Sequence, residues 1–167
     1  MTDTTDLLPE RVEVIGLDHL YLTVADVARS GAFYDTVFGL LDFRKTDTAI
    51  AGDPHRHYFN RIMQISVRQA KSAAKHDPYA PGLHHICLQV ADNKAVDAFH
   101  RLATARGIDA TAPATYPQYS DDYYATFFSD PDGLRFEVLA RRARRKLYAE
   151  RWSELTHWLN PIQHIKL

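Results

Sequence analysis

The sequence has little that would suit an oxidising compartment, a membrane or a nucleic acid. Cys87 is the single cysteine, so no disulfide can form within the chain. No apolar run approaches the ~18 residues of a membrane span, and residues 1–14 lack the pattern of a signal peptide. The formal net charge is only −1, which gives no bulk attraction for nucleic acid or an anionic surface. We therefore expect a cytoplasmic protein with neither nucleic acid nor membrane as a partner.

An internal repeat organises what is present. The segment GLDHLYLTVAD (16–26) matches GLHHICLQVAD (82–92) at seven of eleven positions, with a constant offset of 66 residues. The join between the copies contains two prolines and a glycine, which is typical of a linker. The sequence thus predicts one domain over 14–140, made of two related modules at about 14–70 and 82–140.

Each module has the same predicted element order. A strand with apolar and polar residues in alternation is followed by a helix, for which Asp26 and Asp92 are the expected N-caps. Three further strands follow in each copy. The prediction is an α+β fold of two βαβββ modules, each with its helix on one face of a small sheet.

Strand alternation identifies four candidate site residues. It places His19 and the repeat-equivalent His85 on the sheet face opposite the apolar residues, and it does the same for Gln64 and Glu137. Setting RIMQISVR over LRFEVLAR makes Gln64 and Glu137 equivalent as well. A pseudo-twofold axis between modules brings equivalent positions together, so we expect the four side chains to share one cleft.

Two imidazoles and one carboxylate with open positions form a facial site for a divalent metal such as Fe(II). The same donors suit Mn, Co, Ni or Zn, and Gln64 adds a neutral oxygen as a fourth ligand. The alternative is that both histidines are ordinary strand residues and Glu137 an ordinary surface acid. Glu137 and a nearby tyrosine, for which Tyr124 is the candidate, are the expected acid–base groups.

The repeat, the paired strand histidines and the segment YYATFFSDPDGLRFEV (123–138) resemble the glyoxalase/bleomycin-resistance/extradiol-dioxygenase superfamily, also called vicinal oxygen chelate. The resemblance covers about residues 14–140. It implies paired βαβββ modules in a half-open barrel, a homodimer, and metal ligands on the first and last strands of each module. His19, His85 and Glu137 stand at those ligand positions, and Gln64 stands where bacterial glyoxalase I has a glutamate.

The resemblance leaves the reaction open between two classes. One is a glyoxalase-like lyase or isomerase, with which the His, Gln, His, Glu set of methylmalonyl-CoA epimerase also agrees. The other is an extradiol ring-cleaving dioxygenase, favoured by the aromatic residues before the closing motif. Either acts on a small oxygenated molecule, aromatic in the second case. The alternative function is metal-free drug binding of the bleomycin-resistance kind. Whether the site lies within one chain or across a dimer stays open.

Residues 141–167 form a C-terminal extension that begins with a basic run. Its apolar residues fall at helical spacing, which predicts an amphipathic helix that docks on its own domain or across a dimer. That stripe consists of Leu147, Trp152, Leu155, Trp158 and Leu159.

Overall fold

A computed structural model describes residues 14–152 as two four-stranded sheets with a helix for each and a third helix at the C-terminal end. The first module contains β1 (His19–Val24), α1 (Val27–Leu40), β2 (Arg44–Ile50), β3 (Asp53–Phe59) and β4 (Gln64–Gln69). The second contains β5 (His85–Gln89), α2 (Asn93–Thr104), β6 (Ala114–Thr115), β7 (Tyr124–Ser129) and β8 (Arg135–Ala140). The helix α3 (Arg142–Glu150) follows.

The two sheets have the same topology. The strand order is β1-β4-β3-β2 in the first and β5-β8-β7-β6 in the second, and neither sheet closes on itself. In both, the first strand of the module pairs in parallel with its last strand, while the other pairings are antiparallel. The predicted α+β fold with two βαβββ modules is confirmed.

Local sequence signals explain where the helices begin. The carboxylate of Asp26 accepts the backbone N–H of Arg29, and that of Asp92 accepts the N–H of Ala95, so each occupies one of the free N–H groups at a helix N-terminus. The alternation predicted for the first strand of each module is also observed. Leu22 and Leu88 are buried, whereas their strand neighbours on the opposite face are exposed.

The helix-side faces of both sheets pack on one shared core. Tyr34 on α1 contacts Tyr58 of the first sheet and Phe136 of the second, with ring centroids 6.2 Å and 5.9 Å apart. Phe128 and Phe136 then stack at 5.4 Å within the second sheet. Because each sheet turns its helix side to this core, the predicted site residues lie on the opposite faces.

The turn 130–133 between β7 and β8 joins the two modules. Gly133 has φ +91°, a left-handed conformation that favours glycine. Asp130 is buried and accepts a 2.6 Å hydrogen bond from the Tyr34 hydroxyl, while Asp132 accepts the N–H of Ala25 at 2.7 Å and pairs with Arg29. The burial of Tyr34 and the negative charge of Asp130 raise the pKa of the tyrosine, so its hydroxyl stays a donor.

The C-terminal extension is only partly covered by the described residues. Helix α3 covers the first part of the extension, with Leu147 partly buried and Trp152 exposed just beyond it. Leu155, Trp158 and Leu159 lie outside the described residues. Within 14–152, no helix is long and apolar enough to cross a membrane.

Candidate functional site

The second sheet brings His85 and Glu137 together. His85 begins β5 and Glu137 lies in the middle of the adjacent β8, and Nε2 of the imidazole is 3.8 Å from Oε2 of the carboxylate. Glu137 is only 1% exposed, and among residues 14–152 its buried Oε1 has no hydrogen-bond partner. The side chain of His85 is 44% exposed and leaves this pair open on one side. A buried carboxylate oxygen without a hydrogen-bond partner, next to a partly exposed imidazole, is suited to binding a cation.

Both histidines are oriented by the residue that precedes them. Nδ1 of His19 is 2.8 Å from a carboxylate oxygen of Asp18, and Nδ1 of His85 is 2.7 Å from Nδ1 of His84. In each case the contact occupies Nδ1 and leaves Nε2 as the nitrogen available to a ligand. Asp18 and His84 are themselves repeat equivalents, so the two modules achieve the same orientation with different side chains.

His84 does not follow the alternation of the strand after it. Neighbouring residues within a strand point to opposite faces. The rings of His84 and His85 instead lie 5.0 Å apart. The reason is that β5 begins at His85, so His84 belongs to the preceding loop and strand geometry does not constrain it.

Two further side chains of the second module face Glu137. Loss of solvent around the Tyr123 hydroxyl, and then the neighbouring carboxylate, raise the pKa of Tyr123. The same two causes, in the same order, raise the pKa of the Cys87 thiol to about 12. Both groups therefore stay protonated at neutral pH, Tyr123 as a hydrogen-bond donor and Cys87 as a thiol, although the Cys87 residue itself is exposed.

The first sheet carries a hydrogen-bonded network of imidazole, hydroxyl and amide groups instead of a buried acid. His57 on β3 is buried, with Nδ1 2.8 Å from the Ser66 hydroxyl and Nε2 2.7 Å from the Thr48 hydroxyl. Gln64 donates from Nε2 to the same Ser66 oxygen at 2.8 Å. His19 is the register partner of Gln64 on the adjacent strand. This half therefore offers one open imidazole and the remaining oxygen of Gln64.

The strand register corrects the equivalence of Gln64 with Glu137. Glu137 pairs with Cys87 on the first strand of its module, and the repeat equivalent of Cys87 is Tyr21, whose partner is Ser66. On the other side, Glu137 pairs with β7 as Ser66 pairs with β3. Ser66 is thus the counterpart of Glu137, and Gln64 lies two residues before Ser66 on the same face of β4. A two-residue slip preserves the face, so alternation cannot detect it.

Within one chain the two halves stay apart. Among residues 14–152, no three His, Cys, Asp or Glu side chains come together in a way that could hold a metal ion, so His19 does not join His85 and Glu137. Since the sheets share a core on their helix sides, their polar faces point away from each other. The expected single cleft is therefore not formed by one copy of the chain.

The predicted tyrosine lies elsewhere. The Tyr124 hydroxyl donates to Asp97 on α2 at 2.7 Å, on the helix side of the sheet. Its neighbour Tyr123 and Phe127 line a cavity of about 470 Å³ together with His85 and Glu137. Another lining residue, Arg141, belongs to the basic run of the sequence. It follows the last residue of β8, so strand alternation did not point to it.

The comparison with family models identifies the superfamily. Residues 16–138 match the model described as the Glyoxalase/Bleomycin resistance protein/Dioxygenase superfamily. The chain belongs to this superfamily. The match spans both modules, including the paired strands and the turn before Glu137. A comparison with curated proteins finds no match.

Solved structures show the same fold at low sequence identity. A glyoxylase/bleomycin resistance protein/dioxygenase domain from Frankia sp. EAN1pec has a TM-score of 0.64 at 20% identity and covers 77% of this chain and 98% of its own. Lactoylglutathione lyase from Agrobacterium tumefaciens has a TM-score of 0.59 at 19% identity, with 78% and 96% covered. The fosfomycin resistance protein FosX from Listeria monocytogenes has a TM-score of 0.57 at 19% identity, with 76% and 94% covered.

Proposed function

We propose that this protein is a metal-dependent enzyme acting on a small oxygenated molecule, with a metal centre completed between two copies of the chain. His85 and Glu137 of one copy and His19 of the other are the proposed ligands. The observation that carries the proposal is the buried Glu137 carboxylate, with one oxygen unpartnered and the other facing the open imidazole of His85. A buried carboxylate oxygen without a hydrogen-bond partner is costly, and a bound cation removes that cost.

The geometry of a single chain supports a homodimer. The first and second sheets present their site faces on opposite sides of the shared core, and in 14–152 the three proposed ligands do not converge. In a twofold dimer, the first module of one copy faces the second module of the other, and the arrangement is repeated by symmetry. Each dimer then has two sites, and each site takes residues from both copies.

The donor set fits a centre with two histidines and one carboxylate. Ser66 stands where a second acid would be, so three strong ligands remain and open positions are left for substrate. Gln64, beside His19 on the neighbouring strand, is proposed as an additional weak ligand through its amide oxygen. The set suits Fe(II), Mn, Co, Ni or Zn.

The protein's own residues supply the remaining chemistry. A bound divalent metal would contribute Lewis acidity toward substrate oxygens. The Glu137 carboxylate, which lines the cavity, is also proposed to accept a proton from the substrate. The Tyr123 hydroxyl stays protonated because its pKa is raised by burial and by Glu137, so it donates a hydrogen bond to an oxygen that gains negative charge.

Two reaction classes use this arrangement, a ring-cleaving dioxygenase and a glyoxalase-like lyase or isomerase. The aromatic lining of the 470 Å³ cavity beside Glu137 favours an aromatic substrate and therefore the dioxygenase. Metal-free drug binding is the competing function. It accounts for the apolar cavity but gives no reason to bury a carboxylate against an imidazole.

The test is the metal content of protein purified without oxygen or chelator. We expect close to one iron, manganese, cobalt, nickel or zinc ion per chain, lost in His85→Ala and kept in His100→Ala, whose histidine lies on α2. Iron or manganese directs the activity assay to catechols with oxygen uptake; the other metals direct it to isomerisation of hemithioacetals. Failure to bind any of these ions, even after reconstitution, would contradict the proposal in favour of drug binding.

A further inference from the structure

The cavity beside His85 and Glu137 has an aromatic wall. Tyr119, Tyr123 and Phe127 line it, and the rings of the two tyrosines lie 5.0 Å apart, centroid to centroid. Its volume of about 470 Å³ is within the range of small-molecule sites. Walls of this kind hold a flat ring through edge and face contacts.

Arg141 is a cation of this cavity that forms no ion pair with another residue of 14–152. Its guanidinium carbon lies 5.3 Å from the centre of the Tyr123 ring, and among those residues its buried Nε has no hydrogen-bond partner. In the described part of the chain, no carboxylate lies within 4 Å of the Arg141 nitrogens. A buried guanidinium donor without an acceptor is costly, and a planar anion that accepts two of its N–H groups removes that cost.

The second arginine of the cavity is already engaged. Arg135 donates to the Tyr79 hydroxyl at 3.1 Å and stacks over the Tyr79 ring at 5.0 Å. Its guanidinium thus already has a polar and an aromatic partner. The cavity therefore combines an apolar wall, the Arg141 guanidinium and the proposed metal ligands.

We propose that this cavity binds an aromatic carboxylate, with the ring against Tyr119, Tyr123 and Phe127 and the carboxylate on Arg141. The inference rests on the proposed function for what happens at His85 and Glu137, because it names the substrate class of that site. Binding of the carboxylate itself depends on Arg141 and needs no metal, so the two proposals can fail separately.

The test compares 3-phenylpropionate with its uncharged amide, 3-phenylpropanamide, by isothermal titration calorimetry on the full chain. We expect the chelator-treated protein to bind the acid at least about tenfold more tightly than the amide, as a charge-assisted bidentate contact predicts. Arg141→Gln removes this preference, and Arg141→Lys restores part of it because a positive charge returns. Arg142→Gln removes the same charge from the next residue, which is exposed, and keeps the preference.

Equal or undetectable binding of acid and amide by the unmodified protein would overturn the inference. A preference for the acid that survives in Arg141→Gln would also overturn it, since the carboxylate would then bind elsewhere. A preference lost equally in Arg142→Gln would do the same, because it would depend on the net charge of the region and not on Arg141. A melting temperature for each variant confirms that it is folded. Metal binding without an acid preference overturns this inference alone, whereas an Arg141-dependent preference in a protein that binds no metal overturns the proposed function alone.

Discussion

The two modules share a topology but present different chemistry on the faces that point away from the core. The first sheet carries hydroxyl, amide and imidazole groups that hydrogen-bond among themselves around Ser66. The second carries a buried carboxylate, an aromatic cavity and, in Arg141, a guanidinium with no counter-ion among residues 14–152. The repeat therefore keeps the histidine in both halves but places the strong acid in only one. The two modules are therefore equivalent in topology but differ in the charge of the faces that carry the site residues.

The largest expected effect comes from removing the acid that only the second module has. We expect Glu137→Gln to weaken metal binding by more than about 100-fold, because a ligand charge is lost rather than an outer contact worth about 10–100-fold. Ser66→Ala and Gln64→Ala should stay within about tenfold. Competition with a chelator measures each affinity. An equally large loss in Ser66→Ala would show that the first module supplies a full fourth ligand.

The second test concerns the turns at the corresponding ends of the two modules. Asn60 caps its own turn by accepting the N–H groups of Ile62 and Met63, whereas Asp130 also accepts the hydroxyl of Tyr34 from the other module. We expect Tyr34→Phe to lower the free energy of unfolding by about 1–3 kcal/mol, because the buried carboxylate loses a partner.

Urea unfolding at neutral pH measures this loss. Tyr124→Phe is the matched control, since it removes a hydroxyl that donates to Asp97 in an exposed position, and we expect a change within about 0.5 kcal/mol. Equal effects of the two substitutions would mean that the contact between Tyr34 and Asp130 does not hold the modules together.

The smallest expected effect is on Cys87, the only cysteine. Cys87 is exposed, so a reagent can reach it, but the loss of solvent around its thiol and the charge of Glu137 raise the thiol pKa from its ordinary 9.0 to about 12. Alkylation should therefore be slow at pH 8 and increase until about pH 12. The folded state then retains a proton that the unfolded state loses above pH 9.0, so stability falls as pH rises between these values.

Iodoacetamide alkylation of the metal-free protein across pH measures this shift, with urea-unfolded protein as the reference. Glu137→Gln should move the midpoint down only in part, since burial is the larger cause. A folded midpoint near the ordinary value would show that the thiol is not shielded and that Glu137 does not act on it.

Much of the fold could be predicted from local sequence patterns. The repeat predicted two βαβββ modules, and the Asp26 and Asp92 caps are confirmed by their hydrogen bonds to the backbone. Period-two alternation correctly assigned the face of His19 and of Glu137. These features depend on sequence neighbours and on one buried face, which is the information a single sequence carries.

The remainder depended on distances that alternation does not encode. A slip of two residues keeps a side chain on the same face, so the pairing of Ser66 rather than Gln64 with the first strand was not visible. His84 lies just before β5, so the alternation of that strand does not determine where its side chain points. The side on which the two sheets meet is decided by aromatic packing between modules, including Tyr34 against Phe136, and no local pattern reports it.

The central claim is that each metal centre takes His19 from one copy and His85 with Glu137 from the other. His19→Ala and Glu137→Gln are each expected to lack metal. When the two variants are unfolded together and refolded, half of the dimers are mixed, and in each mixed dimer one site has all three ligands. The account predicts that about one quarter of the metal binding of the unmodified protein returns. Metal binding that stays at the level of the separate variants would contradict a site shared between copies.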